Sequence, residues 1–391
     1  MKSKTNVIEL FQEAKANLTY VKVCAPMVRY SKVQFRTLVK NFGVDLCFTP
    51  MILADSFCQN AKARSNEFVT TTYDTPLVVQ FAAKSVDEFL DASKLVYPYV
   101  DGVDLNCGCP QRWAMKDGYG CALLSKPELV HNLLRTVRNN FPSNFTVSVK
   151  VRILQEVKKT IVMCQQLEKC GIDFMTVHGR TPVQKSGEVI DVDTLKEICD
   201  KATIPIIANG GIKTMQDADS LHDVLQCSGI MSASGILNNP ALFNGYNKTP
   251  LSCIKQWMDL KDKSGDKLTF QCYHHHLVFM LEKILTKKQK QEFNYLSTFE
   301  SVDTFLYKHI INDCNTMSAK IPVIDDFVIC TFDKQITDKH SRKCRGCSKS
   351  ICYCTCVYYD YDNNNGSYFT SYVKDADELD YMDSSIFEES S

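Results

Sequence analysis

The sequence has no net charge: 45 Lys and Arg balance 45 Asp and Glu over 391 residues. That balance argues against holding a polyanion by bulk charge. Residues 1–330 carry 38 basic side chains against 34 acidic ones, which leaves nucleic-acid contact to local patches. No apolar run reaches the ~18 residues of a membrane span, and no apolar leader follows a basic start, since Met1–Asn6 runs into the mixed segment Val7–Tyr20. No membrane association is expected, and the expected location is the cytoplasm, with the nucleus as an alternative. Hydrolase signatures are missing too: there is no Gly-x-Ser-x-Gly elbow and no His-Glu-x-x-His helix. Nor is there a Gly-x-Gly-x-x-Gly fingerprint for a Rossmann crevice. Cysteine is plentiful, with 19 residues, but Cys24, Cys47, Cys170 and Cys227 sit singly in apolar runs. They read as small buried hydrophobes in a reducing compartment rather than a disulfide framework.

What is present is a rhythm. Eight short, mostly β-branched runs fall near 21–25, 44–48, 77–81, 100–105, 146–151, 172–177, 204–208 and 229–232. Near-continuous apolar runs are what strands of a parallel sheet need when both faces are covered. Helical patterns lie between them: Val33, Phe35, Leu38 and Val39 before Gly43; Val86, Phe89 and Leu90; Val157–Cys170 ending at Gly171; and Asp193–Asp200. Ser125 with Glu128 predicts a capping box for the helix carrying Leu129, Val130, Leu133 and Leu134. The alternation predicts an α/β fold, a (β/α)8 TIM barrel over 20–250 behind an N-terminal leader, 1–19. From about 251 to 330 an all-helical C-terminal domain is expected, with a basic stretch at Lys283, Lys287, Lys288 and Lys290. Residues 331–391 are Cys-rich, with Cys344, Cys347, Cys352, Cys354 and Cys356, and then acidic. Zinc binding and a poorly ordered extension are both open for that tail.

A TIM barrel carries its chemistry at the C-terminal ends of its strands. Those ends hold Pro26-Met27, Gln80, Asn106 to Pro110, Lys150, His178-Gly179-Arg180 and Asn209-Gly210-Gly211. Asp101 and Asp104, in or beside the fourth run, read as structural. No opposed carboxylate pair stands at this rim, so the set suggests a bound cofactor rather than hydrolysis by side chains. His274, His275 and His276 are adjacent on a helix, do not share a face, and make a poor metal triad. They read as a packing feature, and no metal site is expected at the rim.

In this order, Ala25-Pro26-Met27-Val28 with Ser31, Gln80, Asp104 to Pro110, Val149 to Arg152, Val177 to Thr181, Asn209 to Ile212 and Gly229 to Gly235 resemble the flavin-dependent tRNA dihydrouridine synthases. The likeness covers about 20–245, and the helices to about 315 resemble the family's tRNA-binding domain. Ala25 to Ser31 and His274 to Lys283 look most like the eukaryotic branch acting at positions 20a and 20b of the D-loop.

The resemblance implies FMN across the barrel mouth, NADPH as reductant, tRNA as partner, and no obligate protein partner. It makes Cys109 the acid that protonates uracil C5. A free thiol, with a pKa of about 8.5, is mostly protonated at neutral pH and needs no perturbation for that role. Pro26 and Met27 would floor the flavin, Gln80 would bond its pyrimidine edge, Lys150 and His178 would contact the ring, and Asn106 would lie between flavin and uracil. Asn209, Gly210, Gly211, Ser234 and Gly235 would hold the phosphate, and Arg112, Lys116, Arg152 and Arg180 the substrate. Two departures from the family pattern stand out. Ser234 replaces the usual Arg, which predicts weaker FMN binding, and Ser186 to Asp191 replaces a Gly-x-Ala-x-Trp segment. An FMN oxidoreductase of a small pyrimidine and a non-catalytic RNA-binding barrel are the alternatives.

Overall fold

In the computed structural model, residues 5–311 are described. The Cys-rich and acidic segments of 331–391 lie outside them. Strands β1 (Val21–Cys24), β2 (Leu46–Phe48), β3 (Ile52–Leu53), β4 (Leu77–Ala82), β5 (Gly102–Cys107), β6 (Thr146–Arg152), β7 (Phe174–His178), β8 (Ile206–Asn209) and β9 (Gly229–Ser232) are all parallel. The order runs β2-β1-β9-β8-β7-β6-β5-β4, and β2 pairs with β4 to close an eight-stranded barrel. β3, which the sequence did not suggest, adds to the end of β4. Helices pack outside, as the alternating apolar runs demand.

The barrel interior divides along its axis. At the N-terminal end Phe174 meets Phe48 at 6.3 Å and Phe11 at 5.4 Å between ring centroids. Phe11 belongs to helix Val7–Ala16, inside the expected leader, which buries Val7, Phe11 and Ala14 beneath the strands. Thr5, just before it, donates its N–H to Asp101, whose carboxylate also accepts from Leu77 N and Thr75 Oγ1. Aromatic filling closes that end, so a ligand enters only from the other.

The expected Ser125 cap is not made. Helix Pro127–Asn140 has Lys126 at its N-cap, because Pro127 already occupies the first helical turn. Ser125 instead ends a 3-10 turn and donates its hydroxyl to Ala122 O.

Helices Leu251–Ser264, Phe270–Met280, Lys287–Asn294 and Phe299–Leu306 follow the barrel and share its core. Trp257 is fully buried, donates its indole N–H to Tyr273 O, and packs edge-on to Phe35 of helix Val33–Lys40. His276 stacks on Phe35 at 4.5 Å, and His274 bonds Phe293 O at 2.9 Å through Nε2. Both histidines are packing residues here, pointing to different neighbours. Among the described residues no helix is long and apolar enough to cross a membrane.

A buried ion cluster ties helix Val33–Lys40 to the loop before β4. Asp74 accepts from Arg36 Nε and Nη2, from Lys40 Nζ and from Thr70 Oγ1. Removing the anion leaves the buried Arg36 and the half-buried Lys40 with backbone carbonyls but no counter-charge from Asp74. Asp74→Ala is expected to destabilise the fold by about 3–5 kcal/mol, read by denaturant unfolding; a loss below about 1 kcal/mol would mean that water or another acid takes its place.

Candidate active site

Parallel strands all end on one rim, so the topology alone gathers Pro26, Met27, Gln80, Asn106, Lys150, Arg152, His178, Asn209 and Gly210. Register does the rest: Gln80 pairs Asp104, Asn106 pairs Lys150, Arg152 pairs His178, and His178 pairs Asn209. Arg112 and Lys116 stand apart on the exposed helix Arg112–Lys116 that follows the Cys109 loop. Ser234 is exposed and Gly235 buried at the start of helix Ser234–Asn238.

Cys109 sits in a loop held from several sides. Its N–H and that of Gly108 donate to Asn106 Oδ1 at 3.0 and 3.2 Å. Its carbonyl accepts from Cys121 N at 2.9 Å. Gly108 O accepts from Arg152 Nε, and Arg152 Nη1 reaches Thr181 O, strapping this loop to the one after β7. Gly120, at φ +60°, presses against the same loop: a Cβ there would lie 2.5 Å from Cys109 O. Burial raises the thiol above its usual range, against lowering by Gln111 N–H, Arg152 and Lys150. The thiol is therefore held protonated more firmly than in free cysteine.

Lys150 donates to Asn209 Oδ1 at 2.9 Å, and Asn209 Nδ2 donates to Met231 O. Burial, then repulsion from Arg152, lowers the ammonium to about 8, with Asp104 opposing. Lys150 thus loses its proton as pH rises through about 8. Affinity for an anionic ligand at the mouth should fall across that step, and Lys150→Met should flatten it; a titration of binding against pH that is identical in the variant would assign the step elsewhere.

His178 is neutral throughout the working range. Burial, then Lys150, Arg152 and Arg180, push it down to about 2. Arg180 N donates to Nδ1, so the ring proton resides on Nε2, which remains a donor. Arg180 itself is buried and bonds Glu188 O through Nε. Met27 N and O both bond the Ser31 hydroxyl, fixing the loop after β1.

The glycines at the far side answer close approaches. A Cβ on Gly235 would meet Ile212 O at 2.2 Å and Lys213 Cα at 2.9 Å. Gly210, at φ +121°, lies under Ile190, whose Cγ2 would be 2.7 Å from its Cβ. Ile190 belongs to the divergent 186–191 segment, which also supplies Asp191 as the cap of helix Val192–Lys201. That segment therefore supports the Asn209-Gly210-Gly211 turn.

Sequence reasoning passed over several residues. Ser148, Gly120 and Cys121 touch the site or its supports, yet a Ser in a strand gives no signal by itself. Thr176, paired with Lys150, has a buried hydroxyl with no partner, as does Thr181. At the rim Tyr119 donates to Asp55, and Lys84 lies 4.6 Å over its ring. Gln80, expected to face a ligand, has both ends of its amide engaged inside the barrel. A separate apolar cavity of about 310 Å³ lies between helices Pro127–Asn140 and Val157–Glu168. Cys107 and Val151 line it, on the strand faces opposite to Asn106 and Lys150, so it is behind the barrel wall and not part of the mouth.

The family model described as dihydrouridine synthase matches residues 23–335. A Mus musculus protein named tRNA-dihydrouridine(20a/20b) synthase NAD(P)+-like is 47% identical over 307 residues, covering 78% of this chain and 93% of that one. The Homo sapiens protein of that name is 44% identical over 307 residues, covering 78% and 95%. The Saccharomyces cerevisiae tRNA-dihydrouridine(20a/20b) synthase is 35% identical over 311 residues, covering 77% and 84%.

Proposed function

The chain belongs to the dihydrouridine synthase family, and on that premise we propose that it reduces a D-loop uridine of tRNA, at 20a or 20b, to 5,6-dihydrouridine. FMN is the cofactor and NADPH the electron source. The observation that carries this reading is Cys109: a protonated thiol fixed by Asn106, Arg152 and Cys121 on the rim shared with Lys150 and His178.

The mouth fits a planar polar group with an anionic end. Thr176 Oγ1 and Thr181 Oγ1 are buried without partners. Nε2–H of His178 and the Lys150 ammonium converge from adjoining strands. Lys150, Asn106 and His178 would hold the flavin ring over Pro26 and Met27, and the backbone of Asn209 to Gly211 and Ser234-Gly235 would hold the phosphate. Flavin, when bound, supplies the hydride that reaches uracil C6. The protein's own step is to deliver the Cys109 proton to C5 on the double bond. The resulting thiolate is stabilised by Arg152 and Lys150, whose charges favour that form. Being only part-buried, it regains a proton from solvent. Arg112 and Lys116 are exposed and would contact the tRNA, whereas Arg152 and Arg180, partly taken up by loop carbonyls, would reach the base only through their remaining N–H groups; the target base must leave its stack at a cost of a few kcal/mol, which flexible loop sites reduce.

The test is direct. The purified protein should carry the two-band absorption of flavin and oxidise NADPH when given tRNA lacking dihydrouridine, with the product mapped at 20a or 20b. Turnover with free uracil instead would favour the small-pyrimidine alternative, and bound tRNA with no turnover the non-catalytic one. Ser234→Arg should tighten FMN by about tenfold or more, since one charge-assisted contact contributes about 1.5–3 kcal/mol. Unchanged affinity by flavin fluorescence titration would mean that the phosphate is held another way.

A further inference from the structure

Resting on the reading that this mouth reduces a uracil, we propose that Asp104 is a positioning residue: it sets the direction of the Gln80 and Asn106 amides and so holds the Cys109 loop for proton delivery.

Asp104 and Asn106 are two residues apart on β5, so both face into the barrel, and Gln80 lies beside Asp104 in register on β4. Gln80 Nε2 donates to Asp104 Oδ2 at 2.8 Å, and Asn106 Nδ2 donates to Gln80 Oε1 at 2.8 Å. Asn106 Oδ1 then accepts from the N–H groups of Gly108 and Cys109. Ser148 donates its hydroxyl to Asp104 Oδ1 at 2.7 Å. Asp104 and Ser148 are fully buried, Gln80 and Asn106 nearly so.

A side-chain amide can be turned over with little change of shape, so its direction must be imposed from outside. One end of this relay is a carboxylate, which when ionised only accepts. The other end is a pair of backbone N–H groups, which only donate. Between them two amides have one arrangement in which every donor meets an acceptor. Turning Gln80 over would set its oxygen against the carboxylate, and turning Asn106 over would set its NH₂ against Cys109 N–H. Both mismatches would be buried, where an unmatched polar group costs more than its bond contributes. Burial raises the Asp104 acid to about 6, with Ser148, Gln80 and Lys150 opposing, so the acceptor form prevails at neutral pH. Asn106 retains one Nδ2 hydrogen that no described residue takes, available to a bound base.

The test separates the two half-reactions of the holoenzyme: reduction of bound flavin by NADPH, and its reoxidation by unmodified tRNA. Asp104→Leu removes the acceptor at similar volume. Reoxidation by tRNA should fall about 30-fold or more, the scale of a small misplacement of a reacting group, while NADPH reduction of the flavin that is bound, a step that does not use the Cys109 proton, should stay within about threefold. Asp104→Asn keeps a carbonyl for Gln80 and can turn its own NH₂ to the Ser148 oxygen, so it should hold tRNA reoxidation within about fivefold. The proposal is overturned if D104N falls as far as D104L, if D104L slows both half-reactions alike, or if D104L leaves reoxidation unchanged.

Should D104L fail to fold, the pair D104N and Asn106→Asp decides. N106D alone sets a carboxylate against Gln80 Oε1 and should lower the melting midpoint. Adding D104N lets Gln80 turn over with every donor matched, and should recover more than about 2 °C; purely additive effects would refute the relay. If the wild-type protein does not respond to tRNA, the functional reading falls, while the melting comparison still decides the relay.

Discussion

Cys109→Ala is expected to retain FMN and its reduction by NADPH while turnover on tRNA falls at least about 100-fold, the range for loss of a positioned general acid. The expectation follows from where the thiol sits. Its loop is held by main-chain bonds to Asn106, Cys121 and Arg152, none of which involves the sulfur, so alanine gives up only the Gln111 N–H contact to the thiol and leaves those supports in place. The side chain packs at the edge of the small cluster formed by Met51, Ala82, Ala114 and Tyr119, and losing one sulfur there costs little packing. What disappears is the proton. Single-turnover measurements on flavin-reduced enzyme check this directly: reoxidation by tRNA at the wild-type rate would remove Cys109 from the acid role, and simultaneous loss of flavin would make it a structural residue.

Gly235→Ala should abolish tight FMN binding, weakening it by more than about 100-fold, because the added methyl collides with main chain rather than with a movable side chain. Its Cβ would lie 2.2 Å from Ile212 O and 2.9 Å from Ser232 Oγ, which itself donates to Ile212 O. Relief requires separating the turn after β8 from the one after β9, and those two turns are the proposed phosphate cradle. Ile212, Lys213 and Ser232 move with it. Flavin retention through gel filtration reads the outcome, and a variant that keeps its full complement of flavin would place the phosphate elsewhere. Far-UV circular dichroism distinguishes local loss from unfolding, since the collision is confined to the rim.

The barrel was legible because parallel strands covered on both faces have to be apolar along their whole length, and eight such runs stood at regular spacing. Only β3 escaped, being two residues, Ile52 and Leu53, too short for any period to register. The rim residues were legible for a related reason: Gln80, Asn106, Lys150, His178 and Asn209 interrupt or end apolar runs where nothing in the core explains them. The Ser125 cap misled because Ser-x-x-Glu spacing cannot show that Pro127 has already moved the helix start by one residue.

Sequence by itself determined the fold class, the rim at which chemistry takes place, and the chain's place in a family, since each depends on residue types in chain order. Tertiary structure alone decided what each polar side chain is occupied with. Gln80 and Asp104 lie 24 positions apart and Lys150 and Asn209 59 apart, so their bonds exist only once the barrel closes. Burial, which raises the Cys109 thiol and lowers His178 to about 2, is likewise a property of the packed interior. A linear pattern names the donors and acceptors; only proximity and exclusion of water select which of them meet.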